Sequence, residues 1–215
     1  MKKLVLCIFA IMLMACAGTT VSDTPTVSDT PVVSDTPAEY TRGTLTATSF
    51  ESEYIGVRFA LPDGYILASA QDMDALINIG AGVAGIDQAY IDYATITTVY
   101  EMMVSAPTGM PNLMVMVEKL ALSNMTEEQY IEALVAGLSS VPNINYNTFS
   151  NISSTTIAGQ EYKLLTTKAT VSGIIEMTQD YIIRKNGDRM IGFILTYSDA
   201  TIDERNKLLA TFKRF

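Results

Sequence analysis

Histidine and tryptophan are absent from these 215 residues, cysteine occurs twice, and 14 basic side chains face 23 acidic ones. Without histidine, Cys-His and Ser-His-Asp catalysis and the common zinc sites lose their usual partners. Ser-Lys and paired-carboxylate mechanisms stay formally open, but no Ser-x-x-Lys occurs. The scarcity of Lys and Arg excludes nucleic acid as a partner, because phosphates are met by clustered cations. Long apolar runs are missing too: the longest, Leu4 to Met14, falls short of the roughly 18 residues that a membrane-spanning helix needs.

That short run has an address. Lys2 and Lys3 precede it and Ala15-Cys16 close it, the charged, apolar, small-residue order of a secretory signal. The ending Leu13-Met14-Ala15-Cys16 resembles a lipobox, so cleavage is expected before Cys16, with lipid on its sulfur. Residues 1–15 are then signal peptide, and Cys7 leaves with them, so no disulfide can form within the mature chain. Two lysines leave as well, and the formal charge of −9 becomes −11. Acyl chains contribute about 0.8 kcal/mol per buried methylene, so a diacylglyceryl group anchors durably by itself. The expected location is the extracytoplasmic face of a cell membrane, with the membrane as partner through Cys16.

Residues 16–40 form a tether in this reading. Val21-Ser22-Asp23-Thr24-Pro25 recurs at Val27 to Pro31 and Val33 to Pro37. Each copy has a single apolar side chain at its head and can bury nothing, unlike the longer units of a solenoid. The regular prolines favour extended backbone, giving a disordered spacer that reaches on the order of 70 Å.

Residues 41–215 have the length of one domain. Thr44 to Phe50 and Tyr54 to Leu61 read as strands around a turn at Glu51 to Glu53, with Leu61-Pro62-Asp63-Gly64 a second turn. Ser69 with Asp72 starts a helix whose buried side carries Met73, Leu76, Ile77 and Gly80. Strands follow at Ile96 to Val104 and Leu113 to Leu120. Thr126 and Gln129 make a capping box for a helix with the stripe Tyr130, Ile131, Leu134, Val135 and Leu138, ending before Pro142. Strand signals resume at Ile152. Glu161 to Val171, Gly173 to Arg184 and Met190 to Tyr197 are strands, the last two joined by a type I′ turn at Asn186-Gly187. Thr201 caps toward Glu204 for a last helix through Leu208, Leu209 and Phe212. Hairpins outnumber helices, which makes the domain α+β, an antiparallel sheet covered by helices.

The stretch Tyr54 to Tyr65, with Gly56, Phe59, Leu61-Pro62 and Gly64, resembles the strand-turn opening of small Gram-positive surface lipoproteins with a PsbP-like domain. Tyr100-Glu101-Met102, Ala158-Gly159-Gln160-Glu161-Tyr162 and the final helix with Phe212 are similar to later landmarks of that group. The family has tryptophan where Tyr65 stands here. The resemblance implies an α/β/α sandwich and brings no catalytic or site residues with it.

Gly80-Ala81-Gly82-Val83-Ala84-Gly85 is a G-x-G-x-x-G motif with Glu101 16 positions beyond it, the pattern of a dinucleotide site. Ser69 to Ile79 phases as a helix instead of a strand, so we expect a flexible glycine-rich loop after that helix and no cofactor. Asp72 with Asp74 and Asp87 with Asp92 are carboxylate pairs, but Asp72-Met73-Asp74 lacks the remaining ligands of a calcium loop and reads as an acidic first turn. Lys119, Lys163, Lys168 and Lys185 read as solvated. Met102, Met103, Met110, Met114 and Met116 crowd neighbouring strands, either lining a ligand groove or, as expected, forming a core beneath a helix. The function expected is a surface-displayed, non-catalytic binding or interaction domain whose partner is a protein, a wall component or a small molecule. A nucleotide-dependent enzyme using Gly80 to Gly85, and a purely structural envelope protein, are the alternatives.

Overall fold

The computed structural model describes residues 39–215; the signal, Cys16 and the tether repeats lie outside the described residues. The order is β1 (Thr44–Leu45), β2 (Ser49–Ser52), β3 (Val57–Ala60), β4 (Ile66–Leu67), α1 (Ala70–Ala84), α2 (Gln88–Thr97), β5 (Thr98–Ser105), β6 (Asn112–Lys119) and α3 (Glu127–Leu138). Then come β7 (Ile144–Phe149), β8 (Ser153–Ile157), β9 (Gln160–Val171), β10 (Ile175–Asn186), β11 (Arg189–Tyr197), α4 (Ile202–Ala210) and β12 (Lys213–Arg214). An eight-stranded sheet runs β4-β5-β6-β11-β10-β9-β7, with β8 also on β9, and a small sheet runs β1-β2-β3-β12. Every strand pairing is antiparallel. The α+β class expected from the sequence is therefore the fold.

Side-chain alternation splits the large sheet into two buried faces. On β6, Met114 and Met116 join the core under α1 and α3, whereas Leu113, Val115 and Val117 join the opposite core. A β-bulge at Glu101 shifts the register between Tyr100 and Met102, so Met103 faces the helices and Met102 the other layer. Met102, Met103, Met114 and Met116 are at most 1% exposed. They pack in closed cores on both sides of the sheet rather than along a groove. The second covering layer is the small sheet with α4, which supplies Leu208 next to Phe212, Phe59 and Phe50. Burial on both faces explains why β6 reads as a nearly unbroken apolar run.

Several local expectations move. Thr44 to Phe50 is a hairpin rather than one strand: Thr44 pairs with Glu51 and Leu45 with Phe50. The Thr46 hydroxyl accepts from the Ser49 amide at 3.0 Å and bends the chain between them. The turn expected at Glu51 to Glu53 lies later, ending at Gly56, whose φ is 80° and whose added Cβ would lie 2.2 Å from the Gln160 side chain. Thr98, not Ile96, begins β5, because residues 88–97 form α2. The β10–β11 turn is Gly187-Asp188, one residue beyond the expected pair. Asn186 stays in the ladder opposite Arg189 and exchanges hydrogen bonds with Tyr54, its amide donating to the Tyr54 carbonyl and its carbonyl accepting from the Tyr54 hydroxyl. Thr201 makes no side-chain cap for α4; its hydroxyl accepts from the Ser198 amide instead, and Phe212 lies past the helix end.

The glycine motif is helix. Both capping boxes form as the sequence predicts, and α1 continues from Ser69 through Ala84 to end on Gly85 in the left-handed conformation, φ 74°. Gly80, Ala81 and Ala84 are buried, and Ala81 and Ala84 join the core that the sheet shares. A Cβ on Gly82 would meet open space. The expected loop is absent because small residues let the last turn of the helix lie close on its neighbours. With these amides inside a helix whose flanking strands are antiparallel, the βαβ setting of a dinucleotide site is not formed.

Candidate functional site

Helices α1 and α2 stand beside β5, and the space they leave is a cleft of about 520 Å³. Spacing along α1 places Met73 and Ile77 at its floor and Asp74 and Asn78 on its wall, one turn apart. Gln88 and Asp92 of α2 form the facing wall, with Gln88 donating to Asp92 at 2.9 Å. Thr98, Val99 and Tyr100 of β5 close the base, and Arg42 reaches in from the segment before β1. The volume is that of an ordinary small-ligand site, with an apolar floor and a few convergent polar groups.

The segment Glu39 to Gly43 is fastened to the bulge of β5. Tyr40 donates its hydroxyl to Glu101 at 2.6 Å, the Gly43 amide donates to the same carboxylate at 3.0 Å, and Arg42 donates to the Tyr100 carbonyl at 2.8 Å. The Tyr40 ring meets Tyr54 edge-on at 5.1 Å, and the Arg189 guanidinium lies 4.2 Å from its centroid. Tyr40, placed in the tether by the sequence, thus packs on the domain. Burial pushes the Glu101 carboxyl above its usual range, against the pull of Tyr40, the Gly43 amide and Arg42. Far from a ribose site, Glu101 is buried and holds the incoming chain.

A second buried carboxylate lies one strand further in. Glu118 of β6 pairs across from Thr98 and accepts from the Tyr130 hydroxyl of α3 at 2.5 Å. Burial raises its carboxyl and the Tyr130 bond pulls it back; Tyr100 is raised to about 12 by burial and then by the Glu118 charge. A carboxyl whose folded pKa lies above its unfolded one binds more protons in the folded state. Its ionisation therefore costs stability above the folded value, and that cost vanishes as pH falls to the unfolded value of about 4.3. Glu118→Gln is expected to raise the melting temperature at pH 7, with the advantage closing as pH falls toward the ordinary glutamate range. An advantage that widens on acidification would show that Glu118 is stabilised as the anion.

The other residues singled out in the sequence are dispersed. Asp72 is taken up by its capping box with Ser69. Lys163 pairs with Glu128 at 2.9 Å, Lys168 with Asp199 at 3.8 Å, and Lys185 donates to the Ser123 carbonyl. Among the described residues no group of three His, Cys, Asp or Glu side chains could hold a metal, and no helix is long and apolar enough to cross a membrane. Each of the two carboxylate pairs read in the sequence gives the cleft one member, Asp74 and Asp92. Arg42 and Tyr100 were not foreseen as site residues, since only the missing helix α2 and the docked segment bring them together.

No family model and no curated protein matches the chain. Among solved structures it is similar to cyanobacterial PsbP (CyanoP) from Synechocystis, at 14% identity and a TM-score of 0.48 over 83% of this chain and 99% of that one. It is also similar to LpqN of Mycobacterium tuberculosis, described as involved in cell envelope biogenesis, at 11% identity and a TM-score of 0.41 over 73% of this chain and 82% of that one.

Proposed function

We propose that the chain is a membrane-anchored, surface-displayed lipoprotein whose domain binds a partner without catalysing a reaction. The α1–α2–β5 cleft carries the binding half of this reading: it gathers carboxylates, carboxamides, a guanidinium and hydroxyls over an apolar floor. Among the described residues its lining has no histidine, cysteine or lysine, the usual members of a nucleophile and base pair. The anchoring half rests on Lys2-Lys3, the short apolar run and Leu13 to Cys16. The docked Tyr40 segment complements it by fixing where the tether would enter the domain.

Both halves can be tested in the full chain. Cys16→Ser should move the protein from the detergent phase to the aqueous phase, or leave it unprocessed, because the lipid-bearing sulfur is gone. Unchanged detergent partitioning would remove the anchor from the reading. In a fragment screen followed by NMR, perturbations should converge on Met73, Ile77 and Tyr100. Binders that spare all three would remove the cleft.

A further inference from the structure

We infer that Asn186 is a site of spontaneous deamidation and that its hydrogen bonds to Tyr54 set the rate. Of the asparagines in the chain only Asn186 is followed by glycine; the others precede Ile, Leu, Met, Tyr, Thr or Lys. Glycine has no Cβ to crowd its nitrogen, so attack on the preceding side chain is least hindered there. The position favours reaction as well. Asn186 is only partly buried, at the end of β10, where the chain turns through Gly187, φ 60°, and Asp188. A bond forms from the Gly187 backbone nitrogen to the Asn186 side-chain carbon while that nitrogen gives its proton to solvent. The carbon then releases its own nitrogen as ammonia, leaving a five-membered imide. Water opens the imide to aspartate or isoaspartate, and nothing is oxidised or reduced.

The folded chain opposes ring closure. To bring its side chain onto the Gly187 nitrogen, Asn186 must leave the extended ladder opposite Arg189. That movement gives up two hydrogen bonds. The side-chain amide donates to the Tyr54 carbonyl at 3.0 Å, and the Asn186 carbonyl accepts from the Tyr54 hydroxyl at 2.8 Å. Tyr54 is itself held in place, buried and with its ring edge-on to Tyr40 at 5.1 Å. The product loses this grip. A carboxylate has no donor for the Tyr54 carbonyl, and isoaspartate adds a methylene to the backbone at the last pair of the ladder. Loosening Tyr54 removes a wall from the Tyr40 ring, so the modification reaches the segment Glu39 to Gly43.

The test ages the full chain in detergent at mildly alkaline pH, both folded and in urea, and maps the amide-to-acid mass shift onto its peptides. Conversion should appear first at Asn186 in both samples. It should be slower in the folded chain by about tenfold or more, since only locally opened molecules react. Tyr54→Phe removes one of the two hydrogen bonds and should speed the folded reaction about fivefold while leaving the rate in urea unchanged. Should that variant fail to fold, the ratio of folded to urea rates in the unsubstituted chain decides alone. The aged protein should also show shifted Tyr40 resonances. Conversion at another asparagine before Asn186 would overturn the site. Equal rates in the folded and urea-treated chains, or a folded Tyr54→Phe that reacts no faster, would overturn control by Tyr54. Unshifted Tyr40 resonances in the converted protein would overturn the link to the segment Glu39 to Gly43.

Discussion

Asp180→Ala should lower the unfolding free energy by about 3–5 kcal/mol, the cost of removing one partner from a buried ion pair. Asp180 is 1% exposed in the middle of β10. One of its oxygens accepts from the Thr166 hydroxyl at 2.6 Å and the Tyr197 hydroxyl at 3.2 Å. The other accepts from both the Nε and a terminal nitrogen of Arg205, which comes from α4. Alanine takes this acceptor away from the partly buried Arg205 guanidinium and from the Thr166 and Tyr197 hydroxyls. The loss is expected to spread to the C-terminal segment, because α4 leads directly to Phe212 and to the pairing of Lys213 and Arg214 with β3. Urea unfolding measures the change. A loss below about 1 kcal/mol would show that Arg205 swings out and is solvated. Replacing both partners, Asp180→Leu with Arg205→Met, should recover much of the loss, since apolar isosteres do not carry the desolvation cost of the pair.

The same network marks where sequence reasoning reaches its limit. Asp180 sits between Gln179 and Tyr181 in a strand that looks half polar, and nothing local says that both polar residues are buried. Gln179 is buried because the hydroxyls of Tyr146 and Tyr181 donate to its side-chain oxygen and its amide donates to Thr196, each at 3.0 Å. These partners come from three strands, β7, β10 and β11, and Tyr146 and Thr196, 33 and 17 residues away, leave no local spacing to read. What was legible was local: the capping boxes at Ser69 and Thr126, the stripe of α3, and the long hairpin strands β9 to β11. These depend on contacts within a few residues.

The cleft was half legible for the same reason. Asp74 and Asp92 were visible as carboxylates, but the helix that aligns Asp92 against Asp74 was not. Asp87 stands in the N-cap position of helix α2, but the helix lacks the clear apolar stripe that identifies α1 and α3. The Gly80 to Gly85 motif was misread in the opposite direction. Glycine is a poor helix former, by about 1 kcal/mol relative to alanine, and three of them suggested a loop. Packing outweighed propensity: Gly80, Ala81 and Ala84 are buried, Ala81 and Ala84 in the core shared with the sheet, and the end of the helix lies close on Pro142 and Asn143. The bulge at Glu101 was equally invisible, yet it sets which methionine faces which core and where the segment after Glu39 docks.

The second large effect should come from Phe193→Ala, at about 3–5 kcal/mol. Phe193 is fully buried on β11, on the face away from α1 and α3. Its ring meets Tyr162 of β9 edge-on at 5.4 Å and Phe212 edge-on at 5.2 Å. Phe212 in turn lies 5.0 Å from Phe59 of β3. Phe193 is thus the contact through which the large sheet holds the chain end and the small sheet at once. Alanine would leave a cavity that cannot close, since the backbone around Phe193 is fixed by ladders to β6 and β10. Phe215 is the matched control, an aromatic at the chain end that stacks on Arg58 but is 45% exposed. Phe215→Ala should change stability by no more than about 0.5 kcal/mol, as for other surface positions. Equal losses at the two sites would place the joint between the layers at the chain end rather than in the aromatic cluster. A loss confined to Phe193 would locate it where Tyr162, Phe193, Phe212 and Phe59 meet.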